Sequence, residues 1–84
     1  MRKPIIAANW KMFKTAGETR QFLNDFVPLV KDVKDVEIVI APSFTSLAAA
    51  SELMKGTSLA LSAQDVFYEK EGAYTGEISP SMLL

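Results

Sequence analysis

Two residues near the amino terminus have the types and spacing to handle an anionic oxygen: Asn9 and Lys11, on either side of Trp10, just beyond the apolar run Ile5-Ile6-Ala7-Ala8. Side chains alternate along a strand, so Asn9 and Lys11 fall on the face that carries Ile5 and Ala7, and Trp10 on the other. A lysine at a strand end offers a compact charge with three donors, suited to a phosphate or to negative charge developing on an oxygen. The amide of Asn9 can hold that lysine or donate to a substrate oxygen. The same spacing also fits a lysine that snorkels to solvent beside an ordinary turn asparagine.

Other chemistry is narrowed by what the sequence lacks. It has no cysteine and no histidine. Disulfides, thiolate catalysis and thiolate metal sites are thereby excluded from this segment, and so are the commonest general base and metal ligand. No metal site is expected. The carboxylates Glu69, Glu71 and Glu77 stand in or beside a glycine-containing loop and read as exposed ion-pairing groups rather than general bases. The net charge is −1, with nine basic residues and no basic stripe, which argues against a nucleic-acid partner. The first apolar run is too short for a signal sequence or a membrane span, and a soluble, cytoplasmic protein is the simplest expectation.

The elements that must position Asn9 and Lys11 are legible as three apolar runs separated by two amphipathic stretches. Ile5 to Ala8 shows little alternation and suits a strand covered on both faces. Thr15-Ala16-Gly17-Glu18 has the form of a capping box. Phe22, Leu23, Phe26, Val27 and Val30 then recur at helical spacing, with Arg20, Asn24 and Lys31 on the wet side. Pro28 conflicts with that helix, because it removes a hydrogen bond and should kink the helix or thin its last turn. The second run, Val36 to Ala41, is largely β-branched and ends at Pro42. Ser43 or Thr45 can cap the next helix, with Leu47, Ala50, Leu53 and Met54 as its apolar stripe and Gly56 as its left-handed stop. Leu59 to Ala63 is a weaker strand. A loop from about Asp65 to Ile78 follows, and Ser79-Pro80 opens a third helix. Helices joining successive buried strands imply right-handed crossovers and a parallel sheet.

Three motifs, in order along the chain, carry a resemblance. Asn9-Trp10-Lys11-Met12 resembles the signature that ends the first strand of triosephosphate isomerases. Ala41-Pro42-Ser43 is similar to the end of that family's second strand. Ala63-Gln64-Asp65-Val66, followed by Gly72-Ala73-Tyr74-Thr75-Gly76-Glu77-Ile78-Ser79-Pro80, is similar to its third strand and third loop. The last run makes the resemblance specific, and Asp65 departs from it where the family usually has asparagine.

The resemblance implies a parallel (β/α)8 TIM barrel of the α/β class. Residues 1–84 would be the N-terminal part of one such domain, with about the first three strands and two helices, truncated near the start of the third helix. It implies an isomerase of glycolysis and gluconeogenesis that interconverts dihydroxyacetone phosphate and glyceraldehyde 3-phosphate through an enediolate, with no cofactor. Lys11 would be catalytic and bind substrate, and Asn9 would position it and touch substrate. Gln64, Gly72, Tyr74, Thr75, Gly76 and Glu77 would lie at a homodimer interface, with Thr75 reaching toward the partner's active site and the turn Phe13-Lys14-Thr15 nearby. The family's electrophilic histidine and catalytic glutamate have no counterpart here, so the segment alone is expected to be inactive. The alternative is a non-catalytic barrel fragment that self-associates as a structural module. A chain of 84 residues buries only about 60–65% of its unfolded surface, which makes independent stability marginal.

Overall fold

Thr15 and Glu18 start the first helix as their spacing requires. In the computed structural model, which describes residues 2–84, the Glu18 N–H donates to Thr15 Oγ1 at 3.2 Å, and the Thr15 N–H donates to Glu18 Oε1 at 2.9 Å. Hydrogen bonding to the carboxyl from Thr15, its backbone N–H first and its side chain second, holds Glu18 below the ordinary glutamate range, with a smaller contribution from the charge of Lys14. Helix α1 runs over Ala16–Val30 and contains Pro28, so the proline sits within its last turn. Thr19 is buried in its first turn, where its hydroxyl donates to the Thr15 carbonyl at 2.8 Å.

The strands are β1 (Ile5–Asn9), β2 (Glu37–Ala41) and β3 (Ala60–Leu61), in sheet order β1-β2-β3. Both pairings are parallel, with Ile5 opposite Glu37, Asn9 opposite Ala41, and Ile40 opposite Leu61. β3 is only two residues long, as its alanine- and serine-rich sequence suggests, although the Ser62 N–H extends the ladder to the Ile40 carbonyl at 2.9 Å.

Between β2 and β3 lie a single 3-10 turn, Phe44–Ser46, and helix α2, Leu47–Met54. Neither Ser43 nor Thr45 caps α2; their hydroxyls lie 3.2 Å apart and bond to each other. The intervening 3-10 turn moves the start of α2 beyond reach of both. Gly56 does stop the helix region, at φ +73°. A last helix, α3 (Pro80–Leu83), has Pro80 in its first turn, but the Ser79 hydroxyl bonds to Ser81 rather than to the helix backbone. No helix among the described residues is long and apolar enough to cross a membrane.

α1 and α2 pack on the same face of the sheet. Leu23, Ile40, Ala50 and Met54 form the buried cluster, joined by Ala8, Trp10, Phe22, Phe26, Val27, Ile38, Leu53 and Leu59. Ala50 has no side chain beyond Cβ, which suits the close approach of the two helices. The opposite face of the sheet carries Ile5, Ala7 and Asn9 and is open. Within residues 2–84 the expected cover of β1 on both faces is not formed: Ile5 and Ile6 are 61% and 60% exposed. Among the described residues β1 has one sheet neighbour, β2, and the helices reach no further along it than Ala8.

Candidate functional site

Parallel pairing brings the C-terminal ends of all three strands to one edge of the sheet, where Asn9 and Lys11 meet Ala41 and Gln64. Asn9 is the last residue of β1 and lies on its open face. Strand alternation does not extend to Lys11. It follows the strand end in the left-handed region at φ +53°, so its direction is set by a turn rather than by the pleat.

Both main-chain polar groups of Lys11 are held by side chains. Its N–H donates to Asn9 Oδ1 at 2.9 Å, and its carbonyl accepts from Gln64 Nε2 at 2.9 Å. The second N–H of Gln64 donates to the Ala41 carbonyl at 2.8 Å, which also accepts the Trp10 N–H at 3.0 Å. Two carbonyl acceptors can be served only by the NH2 end of the amide, so the orientation of Gln64 is chemically forced. The same reasoning fixes Asn9, whose oxygen faces Lys11 and whose NH2 is left for another acceptor.

The turn beyond Lys11 is tethered from the helix side. Trp10 packs edge-on against Phe22, with centroids 5.2 Å apart, and Phe22 stacks on Phe26 at 5.1 Å. Lys14, also left-handed at φ +71°, places its ammonium 5.7 Å from the Trp10 ring and 5.4 Å from the Phe22 ring. Met12 and Phe13 project outward, 95% and 73% exposed.

Residues 65–78 form a loop closed at its neck, where the Phe67 N–H donates to the Ile78 carbonyl at 2.8 Å. Phe67 packs against both Tyr68 and Tyr74, each with centroids 4.6 Å away. Gly72, at φ +149°, leaves room for the Tyr74 ring, which a Cβ at position 72 would approach to 2.6 Å. Thr75, Gly76 and Glu77 are exposed, and the Asp65 carboxylate accepts the Val66 N–H at 2.8 Å. The expected ion pairs of Glu69, Glu71 and Glu77 are not formed. Among the described residues the ion pair is Lys55–Glu52, at 3.4 Å on α2. No group of three acidic side chains that could hold a metal comes together among these residues.

The sequence model of the family described as triosephosphate isomerase matches residues 4–84. The chain belongs to the triosephosphate isomerase family. It is 60% identical over 83 residues to the triosephosphate isomerase of Dictyoglomus thermophilum, a match covering 99% of this chain and 33% of that one. With the Geotalea uraniireducens triosephosphate isomerase it shares 52% identity over 84 residues, all of this chain and 34% of that protein. The crystal structure of triosephosphate isomerase from Bartonella henselae superposes with a TM-score of 0.87 at 33% identity, covering 98% of this chain and 33% of that one. The chain thus spans about a third of the length of the curated relatives it matches, and its parallel sheet and helices are part of a TIM barrel.

Of the residues expected at the site, the structure brings together Asn9, Lys11 and Gln64, and it sets Tyr74 to Glu77 apart on their own loop. Two features were not foreseen: the left-handed backbone of Lys11 and Lys14, and the use of the Gln64 amide within the chain. Positive φ at a lysine has no compositional signature, and the bonds of Gln64 span 53 and 23 residues.

Proposed function

We propose that residues 1–84 are the N-terminal part of a longer, cytoplasmic isomerase that interconverts dihydroxyacetone phosphate and glyceraldehyde 3-phosphate through an enediolate. The observation that carries this reading is the Asn9–Lys11 pair at the C-terminal edge of a parallel sheet, in a chain of the triosephosphate isomerase family. Parallel barrels do their chemistry at that end. The ammonium of Lys11 attracts the phosphorylated substrate and stabilises negative charge that grows on its oxygen as the enediolate forms. Asn9 spends its oxygen on the Lys11 N–H, which leaves its NH2 to donate to a substrate oxygen.

Proton transfer requires an acid and a base that Asn9 and Lys11 do not supply. The segment alone is therefore inactive, and the complete chain carries the activity. The loop around Thr75 serves a second subunit: Tyr74 is braced by Phe67, and the exposed Met12 and Phe13 offer apolar surface at the neighbouring turn. The partner this implies is a second copy of the complete chain.

The test is a coupled isomerase assay on three samples, with sedimentation of each. The full-length protein should turn over substrate and sediment as a dimer. Its Lys11→Ala variant should lose at least a hundredfold in turnover while remaining folded, within the range that single electrostatic groups contribute. The 84-residue chain should be inactive. Near-normal kinetics in the variant would remove Lys11 from the reaction, and turnover by the short chain would overturn the division of labour.

A further inference from the structure

We propose that Gln64 is a positioning residue for Lys11, holding its main chain in the left-handed conformation from which the ammonium is presented; this rests on the isomerase reading above. A non-glycine residue at positive φ is strained and persists only where its surroundings over-determine it. Lys11, at φ +53°, is such a residue. Its N–H is taken by Asn9, two positions away, and its carbonyl by Gln64, from the end of another strand.

Gln64 does more than satisfy one carbonyl. Its two N–H groups join the ends of β1 and β2, through Lys11 O and Ala41 O, and Ala41 O is itself bound by the Trp10 N–H. The three strand ends are locked into one hydrogen-bonded unit with Lys11 at its rim. Both donors of the side-chain amide are consumed, so that amide has no N–H left for a substrate or a partner subunit. Its family-based assignment to the dimer interface is thereby sharpened: its two side-chain N–H groups act on its own chain.

The side chain required is specific. A carboxylate of the same length presents oxygens to two carbonyl oxygens and donates nothing, whereas its protonated form regains one donor. A methionine keeps the approximate volume and donates nothing at any pH. Gln64→Met and Gln64→Glu in the full-length protein therefore separate positioning from packing.

In Gln64→Met, kcat/KM should fall about tenfold to a hundredfold, the scale of loss when a reacting group is misplaced by about 1 Å. The loss should be absent when the same change is made in a Lys11→Ala background, since there is no ammonium left to misplace. Gln64→Glu should show a similar deficit near neutrality that narrows as pH falls, and Gln64→Met should show no such recovery. A role confined to packing predicts equal losses in both backgrounds and no pH-dependent recovery, and either result overturns the proposal. So does a loss that disappears at high enzyme concentration, which would return Gln64 to the subunit contact.

A crystal structure of Gln64→Met reads the conformation directly. Lys11 should leave positive φ, and retention of its present backbone would refute the proposal. If that variant does not fold, Gln64→Glu across pH decides the matter. A full-length chain without isomerase turnover would sink the functional reading, while the Lys11 backbone in the variant would still decide this one.

Discussion

Replacing Lys11 by glycine and, separately, by alanine removes the same ammonium but treats the backbone differently. Alanine keeps the Cβ that crowds the following carbonyl at φ +53°, a penalty of roughly 1–2 kcal/mol in the left-handed region. Glycine has no such penalty, but its more flexible unfolded chain costs about 0.4–1 kcal/mol relative to alanine. Both variants keep the bonds from residue 11 to Asn9 and Gln64, because those use the main chain. At the centres of the two ranges the glycine variant is about 0.8 kcal/mol more stable than the alanine variant.

The relatives are about three times as long as this chain. In a protein of that size, 1 kcal/mol moves the thermal midpoint by about 2–4 °C. Scanning calorimetry on the two full-length variants at matched concentration should show Lys11→Gly melting above Lys11→Ala, with turnover lost in both. The reverse order, with Lys11→Ala melting above Lys11→Gly, would mean that Lys11 is not left-handed in the folded protein. Gln64 would then have no left-handed backbone to hold.

Leu23 is fully buried against Ile40, Ala50 and Met54, so Leu23→Ala should cost about 2–5 kcal/mol, seen as a lower denaturant midpoint at unchanged slope. The Ser46 hydroxyl is buried without a partner among the described residues, so Ser46→Ala should leave the protein equally stable or raise its stability by about 1 kcal/mol in the same measurement. The Glu18 carboxyl is held below its ordinary range, so the stability it contributes is complete above the unfolded-state value of about 4.3 and disappears as pH falls through the lowered folded value. The gap in thermal midpoint between wild type and Glu18→Gln should be flat above about pH 5 and close on acidification; a gap that widens on acidification would reverse the sign.

Local rules were readable wherever they involved neighbours along the chain. The capping box of Thr15 and Glu18, the stripe from Phe22 to Val30 and the stop at Gly56 all depend on residues a few positions apart, and all formed. The order of motifs from Asn9 to Pro80 was enough to point to the family. The local rules failed where a short insertion changed the geometry: the 3-10 turn at Phe44–Ser46 took Ser43 and Thr45 away from α2. Pro28 falls in the last turn of α1, where it forfeits one backbone hydrogen bond but leaves only two helical residues beyond it.

The sequence by itself determined that Asn9 and Lys11 stand together at the end of a strand, because spacing of two residues is a local property. It could not determine how Lys11 leaves that strand. That was decided by Gln64, 53 residues away, whose amide reaches Lys11 and Ala41 only once three strands are in parallel register. A left-handed lysine is unfavourable in isolation, so no local preference announces it. It exists because main-chain bonds from two side chains, one local and one distant, outweigh the strain.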